Sequence, residues 1–428
     1  MTTPFGSPLP FAEPPHCQGH HSPYYTPAHR AWRQKVRAFV EEHIAPHANA
    51  WDLAGDFPAT LARKAYAAGI LGAMWPRAHG GTPPDGSERA GEWHGSSAVT
   101  QCDPFFDMIL FDELCRPCAG GTIASLFSFG IGLPPIIMFG GEAMRRRVAR
   151  PVITGAKTMC LCVTEPFGGS DVASLRTEAV YDAATRTFVV SGQKKWITGG
   201  VKADFFTVVA RTRFADKRKG DGQLSMLLLE RGMPGITTRR MATQGWCASN
   251  TAFVEFDSVP VPEANLVGEP GKGFKYTMIN FNHERFMMAV QANRYARSAL
   301  EEAVAWARRR KTFGRRLADH QAVRHKVAEC ARRIEGTHAL LEHYCYQVRC
   351  GARDATLYGF MAMLKVQATK TLEYVAREAS QILGGSSYTR GSGAGAKTDR
   401  VYRLVRVMAI GGGSEEVMLD LAMRASKL

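Results

Sequence analysis

A glycine-rich segment at residues 161–171 contains residue types that can hold a large ligand. Gly168 and Gly169 are adjacent, and their lack of side chains lets a ligand approach the backbone, whose amide groups can bind an anion or the polar edge of a flat ring. Thr164 and Ser170 add two hydroxyl groups to the same segment. By itself, this pattern is equally typical of a plain turn before a strand.

The common nucleotide and hydrolase motifs are absent from the sequence. No P-loop, HExxH helix or GxSxG turn occurs. Residues 391–396 approach the GxGxxG count, but no strand pattern precedes them, and residues 397–400 are predicted to continue as a loop. This second glycine-rich segment therefore indicates a flexible turn.

Ten cysteines are spread along the chain. The closest pairs are Cys115 with Cys118 and Cys160 with Cys162, and neither has a second pair at the spacing of a zinc site. We therefore expect structural thiols that stay reduced inside a cell, and no metal site.

The chain is basic, with 54 Lys and Arg against 39 Asp and Glu, which gives a formal net charge of +15. The basic residues are scattered, with tight clusters only at residues 145–147 and 308–311. Because no nucleic-acid-binding motif accompanies them, this distribution predicts no nucleic-acid partner. The overall composition is that of a globular protein and excludes a disordered chain.

Three regions with different hydrophobic patterns follow an extension. Residues 1–26 are rich in proline and are predicted to be loosely ordered. Apolar residues recur at helical spacing in residues 27–156, short β-branched and aromatic runs fill residues 157–267, and the helical period returns in residues 268–428. The patterns predict an N-terminal helical domain, a middle β domain and a C-terminal antiparallel four-helix bundle, whose last helix follows Ser414.

One uncharged stretch, residues 117–141, is long enough to span a bilayer. Pro134 and Pro135 interrupt it, so it predicts two short buried helices joined by a turn and no transmembrane segment. A stretch rich in Gly, Pro and Ser at residues 80–103 is predicted to be a long loop.

Further motifs follow the first glycine-rich segment in a fixed order. They are SGQKKWIT at 191–198, RRKTFG at 309–314 with His320-Gln321, QILGG at 381–385 and IGGGSEEV at 410–417. In this order and spacing, the segments resemble the acyl-CoA dehydrogenase family over nearly the whole chain from about Pro27. The resemblance implies an α+β multidomain fold with a β-barrel-like middle domain, an acyl-CoA substrate, and FAD held between the domains and subunits of a homo-oligomer, a tetramer or a dimer.

The resemblance also implies binding roles for individual residues. The positions that match FAD-binding residues of the family are Leu161, Val163, Thr164, Gly169, Ser170, Trp196, Ile197, Thr198, Arg310, Phe313, Gln321, Gln381, Gly384, Gly385, Ser414 and Glu416. The positions that match substrate contacts are Ser170, Asn282, Arg285 and Gly412.

The family's reaction removes a proton from Cα and a hydride from Cβ of the acyl-CoA, with flavin N5 taking the hydride and trans-2-enoyl-CoA as the product. In many members the base is a glutamate at the position that Gly412 occupies here. In the isovaleryl- and long-chain-type branches the glutamate instead lies in a Glu-Arg pair before an apolar helix. Glu284 and Arg285 match that pattern, so Glu284 is the predicted catalytic base.

The residues around Glu284 support this prediction. Met287, Met288 and Val290 make the surroundings apolar, which keeps a carboxylate poorly solvated and raises its pKa. Arg285 opposes that shift if it pairs with Glu284, but successive helical residues point about 100° apart. The alternative interpretation is an ordinary Glu-Arg pair on a helix surface.

Gly412 keeps the backbone amide that, in the family, donates a hydrogen bond to the thioester oxygen. Because Gly411 is equally small, the pocket near Cα and Cβ is predicted to be roomy. A roomy pocket permits a fatty or branched acyl chain of the β-oxidation type without requiring either.

The C-terminal tripeptide Ser426-Lys427-Leu428 matches the peroxisomal address, so we expect recognition by the peroxisomal import receptor and location in the peroxisomal matrix. This location favours O₂ as the electron acceptor, as in an acyl-CoA oxidase that releases H₂O₂. The chain lacks the extra C-terminal domain of such oxidases, which favours an electron-transfer flavoprotein as the acceptor. A DNA-associated relative needs a further basic domain, and a nitroalkane oxidase needs an aspartate in place of Gly412, so both are set aside.

Overall fold

The computed structural model describes residues 4–87, 103–352, 354–391 and 393–427. Helices fill the first region, a sheet fills the second, and long helices fill the third. This order confirms the predicted α+β fold with three domains. The predicted loop at residues 80–103 lies largely outside the described residues, which resume at Asp103.

The N-terminal region is built around one helix that is buried along its whole length. Its helices are α1 (Pro27–His43), α2 (Ala48–Ala54), α3 (Thr60–Ala67), α4 (Pro104–Leu114), α5 (Gly120–Leu126), α6 (Phe129–Gly132), α7 (Pro134–Phe139) and α8 (Glu142–Ile153). Every residue of α4 is buried, and Asp103 caps its start by accepting the N–H of Phe105 at 3.0 Å. The indole of Trp32 on α1 donates to the carbonyl of Phe106 at 3.1 Å, which fixes α1 along α4.

The uncharged stretch forms three short helices, α5, α6 and α7, rather than the two predicted. Pro134 lies at the start of α7, where a missing N–H costs no helical hydrogen bond. Within the described residues, no single helix is long and apolar enough to cross a membrane. The bent helix pair Gly120–Leu126 and Phe129–Phe139 is together long and apolar enough to do so, judged by length and composition only.

The N-terminal extension packs against the helices, and this corrects the prediction of a loosely ordered segment for its described residues. Pro15–Gln18 form a short 3₁₀ helix. Glu13 is fully buried, and its carboxylate contacts Arg37 at 3.1 Å and Arg116 at 2.8 Å. The proline content of the segment indicates only that it does not form a regular helix. The ion pairs of Glu13 with distant arginines fix the segment in place.

The middle region is a seven-stranded sheet with the order β1-β4-β2-β3-β7-β6, in which β5 also pairs with β4. The strands are β1 (Met159–Cys162), β2 (Glu178–Asp182), β3 (Thr187–Ile197), β4 (Phe205–Arg213), β5 (Leu224–Glu230), β6 (Ile236–Arg240) and β7 (Ala252–Pro262). β1 and β2 both run parallel to β4, and they pair with successive parts of it. The register of β3 against β7 shifts between Lys194 and Ile197, so a bulge breaks the regular pairing at Trp196.

The C-terminal region contains long helices that pack mainly on α11. A short hairpin of two strands, β8 and β9, joins α9 to α10. The elements are α9 (Gly273–Arg309), β8 (Lys311–Thr312), β9 (Arg315–Arg316), α10 (Gln321–Arg349), α11 (Asp354–Leu383), α12 (Gly385–Tyr388), α13 (Ala396–Ile410) and α14 (Glu415–Ala425). α11 packs against α9, α10, α13 and α14.

Residues 397–400, which were predicted to be a loop, lie inside helix α13. The backbone N–H groups of Lys397 and Thr398 donate to the Glu302 carboxylate on α9, at 3.3 and 2.8 Å. A distant side chain therefore satisfies the free N–H groups at the start of α13. The local glycines alone indicated a turn, because the capping partner lies about 95 residues away.

Candidate active site

Glu284 lies on α9, on the part of the helix whose next residues, Phe286, Met287 and Met288, are buried. The residue keeps some exposed surface, but its Oε2 atom is buried and accepts no hydrogen bond from the described residues. Burial raises the pKa of Glu284 to about 7, against the opposing charges of Arg285 and Lys365. A carboxyl group with this pKa can accept and release a proton near neutral pH.

Arg285 does not neutralise Glu284 through a direct ion pair. Its Nε donates to the carbonyl oxygen of Gly412 at 3.0 Å, and its Nη1 donates to Oδ1 of Asn282 at 3.1 Å. The guanidinium thus joins α9 to the turn between α13 and α14. This arrangement brings together the predicted base and three of the four predicted substrate contacts, Asn282, Arg285 and Gly412.

Lys365 supports the same turn from α11, and sequence reasoning missed it. Its fully buried ammonium group donates to the carbonyl oxygens of Ala409 and Gly413, each at 2.8 Å. Burial lowers the pKa of Lys365 to about 8, while the negative charges of Glu415 and Glu284 act in the opposite direction. A single lysine in the otherwise apolar run from Leu364 to Val366 was the available signal.

Met288 occupies the space beside Gly412, and this corrects the prediction of a roomy pocket there. A Cβ atom on Gly412 would lie 2.8 Å from the sulfur of Met288, and one on Gly411 would lie 3.2 Å from its terminal methyl carbon. Gly412 also has φ +65°, in the left-handed region that favours glycine. The space left by the absent glutamate side chain is therefore filled by a thioether from α9.

The glycine-rich segment after β1 is held by a buried ion pair that the sequence analysis also missed. Nζ of Lys194, on β3, donates to the carbonyl oxygen of Val163 at 2.9 Å and to Oε1 of Glu165 at 2.8 Å. The Glu165 carboxylate also accepts the N–H groups of Arg176 and Thr177, at 2.7 and 2.9 Å. Glu165 lies inside the predicted ligand-binding segment, so its position was the signal that could have identified it.

Trp196 projects from the bulge at the end of β3. Its φ of +58° is unusual for a bulky residue, and its side chain is 51% exposed. Phe313, in the hairpin between α9 and α10, is 96% exposed and also has a positive φ of +51°. Two aromatic side chains thus face solvent from strained backbone positions, which is typical of residues that contact a ligand or a neighbouring chain.

His283, the neighbour of Glu284 in the chain, lies ten residues inside α9 and is buried.

Family comparisons match three consecutive parts of the chain. Residues 26–156 match the acyl-CoA dehydrogenase N-terminal domain, residues 160–259 match the middle domain, and residues 271–427 match the C-terminal domain. The chain belongs to the acyl-CoA dehydrogenase family. It is therefore an FAD-dependent oxidoreductase acting on CH–CH bonds, which confirms the predicted family, enzyme class and cofactor.

Individual acyl-CoA dehydrogenases are similar to this chain over nearly its full length. The acyl-CoA dehydrogenase apdG of Emericella nidulans is 35% identical over 98% of this chain and 95% of its own. A solved structure of a Mycobacterium smegmatis protein described as an acyl-CoA dehydrogenase is 35% identical, with a TM-score of 0.84 over 95% of this chain and 99% of its own. Butyryl-CoA dehydrogenase of Megasphaera elsdenii is 27% identical, with a TM-score of 0.82 over 95% of this chain and 100% of its own.

The predicted FAD-binding residues fall into two groups in this acyl-CoA dehydrogenase. One group lies in the middle domain, and the other lies in the helical C-terminal domain. In the middle domain, Leu161, Val163 and Ile197 are buried, Thr164 and Thr198 are half-buried, and Gly169, Ser170 and Trp196 are exposed. In the C-terminal domain, Ser414 is half-buried, and Arg310, Phe313, Gln321, Gln381, Gly384, Gly385 and Glu416 are exposed.

The exposed members of both groups fit a large cofactor. The exposed indole of Trp196 offers a flat face on which a ring system can stack, and the exposed backbone at Gly169 and Ser170 offers amide groups to a ligand. In a single chain, Phe313 is left almost bare. Such exposure is what a residue requires if it contacts FAD bound mainly by another subunit.

Proposed function

We propose that the chain oxidises acyl-CoA thioesters between Cα and Cβ to trans-2-enoyl-CoA, with Glu284 as the base that removes the α-proton. The supporting observation is the buried Oε2 of Glu284, which has no hydrogen-bond donor among the described residues. A carboxylate held this way loses little on contacting a substrate C–H, because no hydrogen bond has to break first.

The neighbouring residues have distinct parts in this proposal. Arg285 and Lys365 hold the turn at residues 411–413, so that the N–H of Gly412 can donate to the thioester oxygen and stabilise the charge that develops there. We assign binding of the acyl-CoA to Ser170 and to Asn282, whose Oδ1 accepts from Arg285. The predicted FAD-binding residues of the middle domain, with Trp196, and of the C-terminal domain, with Phe313, would hold the cofactor, which would supply the acceptor for the hydride from Cβ.

The rate of FAD bleaching by acyl-CoA is expected to rise with pH, with a midpoint near 7. Glu284 must be ionised to act as a base, and burial raises its pKa to about 7, so the rate falls as pH drops below that value. Anaerobic stopped-flow absorbance of the FAD holoenzyme between pH 5 and 9 measures this. A midpoint near the ordinary glutamate value of 4.5 contradicts the proposed base, and FAD absorbance without substrate controls for cofactor loss.

We propose a fatty or branched acyl chain of the β-oxidation type as the substrate. Met288 fills the space beside Gly412 and makes the pocket narrower there, which favours acyl groups without a bulky substituent at Cα. A panel of short, long and branched acyl-CoA thioesters, compared by bleaching rate, identifies the preferred chain. The proposal fails if none of them bleaches the flavin while a different class of CoA thioester does.

We further propose that FAD is shared between subunits of a homo-oligomer, a tetramer or a dimer. The exposed Phe313, Gln381 and Gly384–Gly385 region supports this, since these positions match FAD contacts made across subunits in the family. Sedimentation of the holoenzyme measures the state, and a monomer with full FAD content contradicts the proposal.

The electron acceptor has two candidates, an electron-transfer flavoprotein and O₂. Members of the family can pass electrons to an electron-transfer flavoprotein, which we propose as the acceptor here. The alternative is O₂, supported by the peroxisomal-type tripeptide. Ser426 and Lys427 follow α14 and are exposed, and Leu428 lies outside the described residues. Fast reoxidation of the reduced enzyme by air, with release of H₂O₂, supports the oxidase; slow air oxidation with fast transfer to the flavoprotein supports the dehydrogenase.

We also propose that the chain is located in the peroxisomal matrix, on the basis of its C-terminal tripeptide. Deletion of the last three residues from the fluorescently tagged chain is expected to move it from peroxisomes to the cytosol.

A further inference from the structure

A cavity of about 430 Å³ lies where the N-terminal segment meets α1 and α4. Its walls include His16, Tyr25, His29, Arg33 and Ile109. Neither the proposed base nor any predicted FAD-binding residue lines this cavity. Several buried nitrogen atoms around it, described below, make no hydrogen bond to the described residues.

Three side chains with metal-binding atoms converge beside this cavity. His16 comes from the short 3₁₀ helix, and His338 and Glu342 lie one turn apart on α10. One ligand atom from each of the three lies within 4.8 Å of the others. His16 is stacked on the Tyr25 ring at 3.6 Å between centroids, which fixes the plane of its imidazole.

One ring nitrogen of each histidine lies near the same carboxylate oxygen of Glu342, but in poor geometry for a hydrogen bond. Nε2 of His338 lies 3.3 Å from Oε1 of Glu342, and Nδ1 of His16 lies 4.0 Å from it. Both nitrogen atoms are buried, and neither is aligned as a hydrogen-bond donor or acceptor with the described residues. A buried nitrogen atom without a hydrogen-bond partner lowers the stability of the fold unless another group or an ion binds it.

These distances are close to those of a tetrahedral metal site. With ligand bonds of about 2.0–2.1 Å, the ligand atoms around a tetrahedral zinc ion are about 3.4 Å apart. The His338–Glu342 distance already matches this value, and Nδ1 of His16 has to approach Oε1 of Glu342 by about 0.6 Å. Two histidines and one carboxylate are also a donor set that zinc-class cations bind in proteins.

The Glu342 carboxylate is the negative charge in this cluster that can bind a cation, because the nearby arginines pair with other acidic residues. Arg33 and Arg297 are the nearby arginines, and each has an acidic partner of its own. Arg33 contacts Asp112 at 2.6 Å, and Arg297 contacts Glu335 at 2.6 Å. The negative charge of Glu342 therefore has no arginine partner among the described residues.

Tyr25 completes the arrangement. Its hydroxyl group donates to Oε1 of Glu342 at 2.8 Å, which orients the carboxylate as outer hydrogen bonds do in metal sites.

We propose that His16, His338 and Glu342 form a binding site for a zinc-class divalent cation that fastens the N-terminal segment to α10. A fourth ligand, a water molecule or a small anion, enters from the cavity. Cysteine spacing predicted no metal site, and this cluster contains no cysteine: His338 and Glu342 are four residues apart, and His16 lies more than 300 residues before them in the chain.

Zinc titration of the chelator-treated FAD holoenzyme tests this site. We expect one Zn²⁺ bound per chain by calorimetry and a zinc-dependent rise in melting temperature, because the ion binds only the folded arrangement. His16→Gln and His338→Gln are each expected to weaken zinc binding at least tenfold and to abolish the rise. His21→Gln, an exposed residue of the same segment, is the matched control and is expected to bind zinc like the parent.

The zinc-dependent change in melting temperature is compared within each variant, so a lower starting stability does not affect the conclusion. Absorbance of Co²⁺ bound in place of Zn²⁺ gives a second readout, with the band pattern of a tetrahedral site expected in the parent and lost in both variants. The proposal is overturned if the parent binds no zinc, or if both variants bind it as tightly as His21→Gln does.

Discussion

Glu284→Gln is expected to slow substrate-driven bleaching of the flavin by about 10²–10⁴-fold while the protein keeps its FAD. Glutamine has nearly the same shape as glutamate but cannot accept the α-proton. No described residue donates to Oε2 of Glu284, so the substitution breaks no hydrogen bond at that atom. Anaerobic stopped-flow absorbance gives the bleaching rate, and the flavin spectrum before mixing gives the cofactor content.

The same variant is expected to be more stable than the parent at pH 8 by up to about 3 kcal/mol. The pKa of Glu284 in the folded protein, about 7, lies above its ordinary value of 4.5, so ionisation favours the unfolded chain. Parent stability is therefore highest below pH 4.5 with respect to this group and falls as pH rises through 7. Denaturant unfolding at pH 5 and pH 8 should show a gain in the variant that is larger at pH 8.

Glu301→Gln is the matched control, since Glu301 lies about five turns further along the same helix and has no predicted part in the reaction. It should bleach at the parent rate. If Glu284→Gln bleaches as fast as this control, Glu284 is not the base. If it loses both activity and FAD, the substitution has disturbed folding. The stability of parent and variant at pH 5 and pH 8 then tests whether the pKa of Glu284 is raised by burial.

The sequence was sufficient for the order of the domains because that order depends on local pattern. Glu284 was identified as the proposed base by the resemblance to the family, and the local pattern agreed with it. Glu284 precedes a run of apolar residues on α9, and the desolvation that this run implied is what raises its pKa in the structure. The strands were identified by short β-branched and aromatic runs, which β3 and β4 contain.

The features missed from the sequence all depend on contacts between distant segments. Met288 fills the space beside Gly412 because α9 passes that turn, and a glycine in a sequence does not reveal which neighbour occupies the space. Helix α13 begins where Glu302 caps it, and Lys365 reaches across to the end of the same helix. Such partners are about 45–125 residues away, beyond any periodicity that a single sequence can show.

The largest loss of stability is expected from Arg294→Met. Arg294, on α9, is fully buried, and its Nε and Nη2 atoms donate to the two oxygens of Asp112 at 2.7 and 2.6 Å. Burial raises the pKa of Asp112, but the charges of Arg294 and Arg33 hold it well below the usual range. Methionine fills most of the volume of the arginine side chain but leaves the buried Asp112 carboxylate without one of its two arginine partners. We expect this to lower the free energy of unfolding by about 3–5 kcal/mol. Denaturant unfolding of the holoenzyme at pH 7 measures the loss.

Arg146→Met is the control for removal of an arginine from an ion pair. Arg146 pairs with Glu142 one turn away on α8, and both side chains are largely exposed, so its loss should cost no more than about 0.5 kcal/mol. The double variant Arg294→Met with Asp112→Asn should recover part of the loss, because it removes the carboxylate together with its partner. If Arg294→Met costs no more than Arg146→Met, the buried pair of Arg294 with Asp112 contributes no more to stability than an exposed ion pair does. If the double variant is no more stable than Arg294→Met, the cost comes from packing rather than from an uncompensated charge.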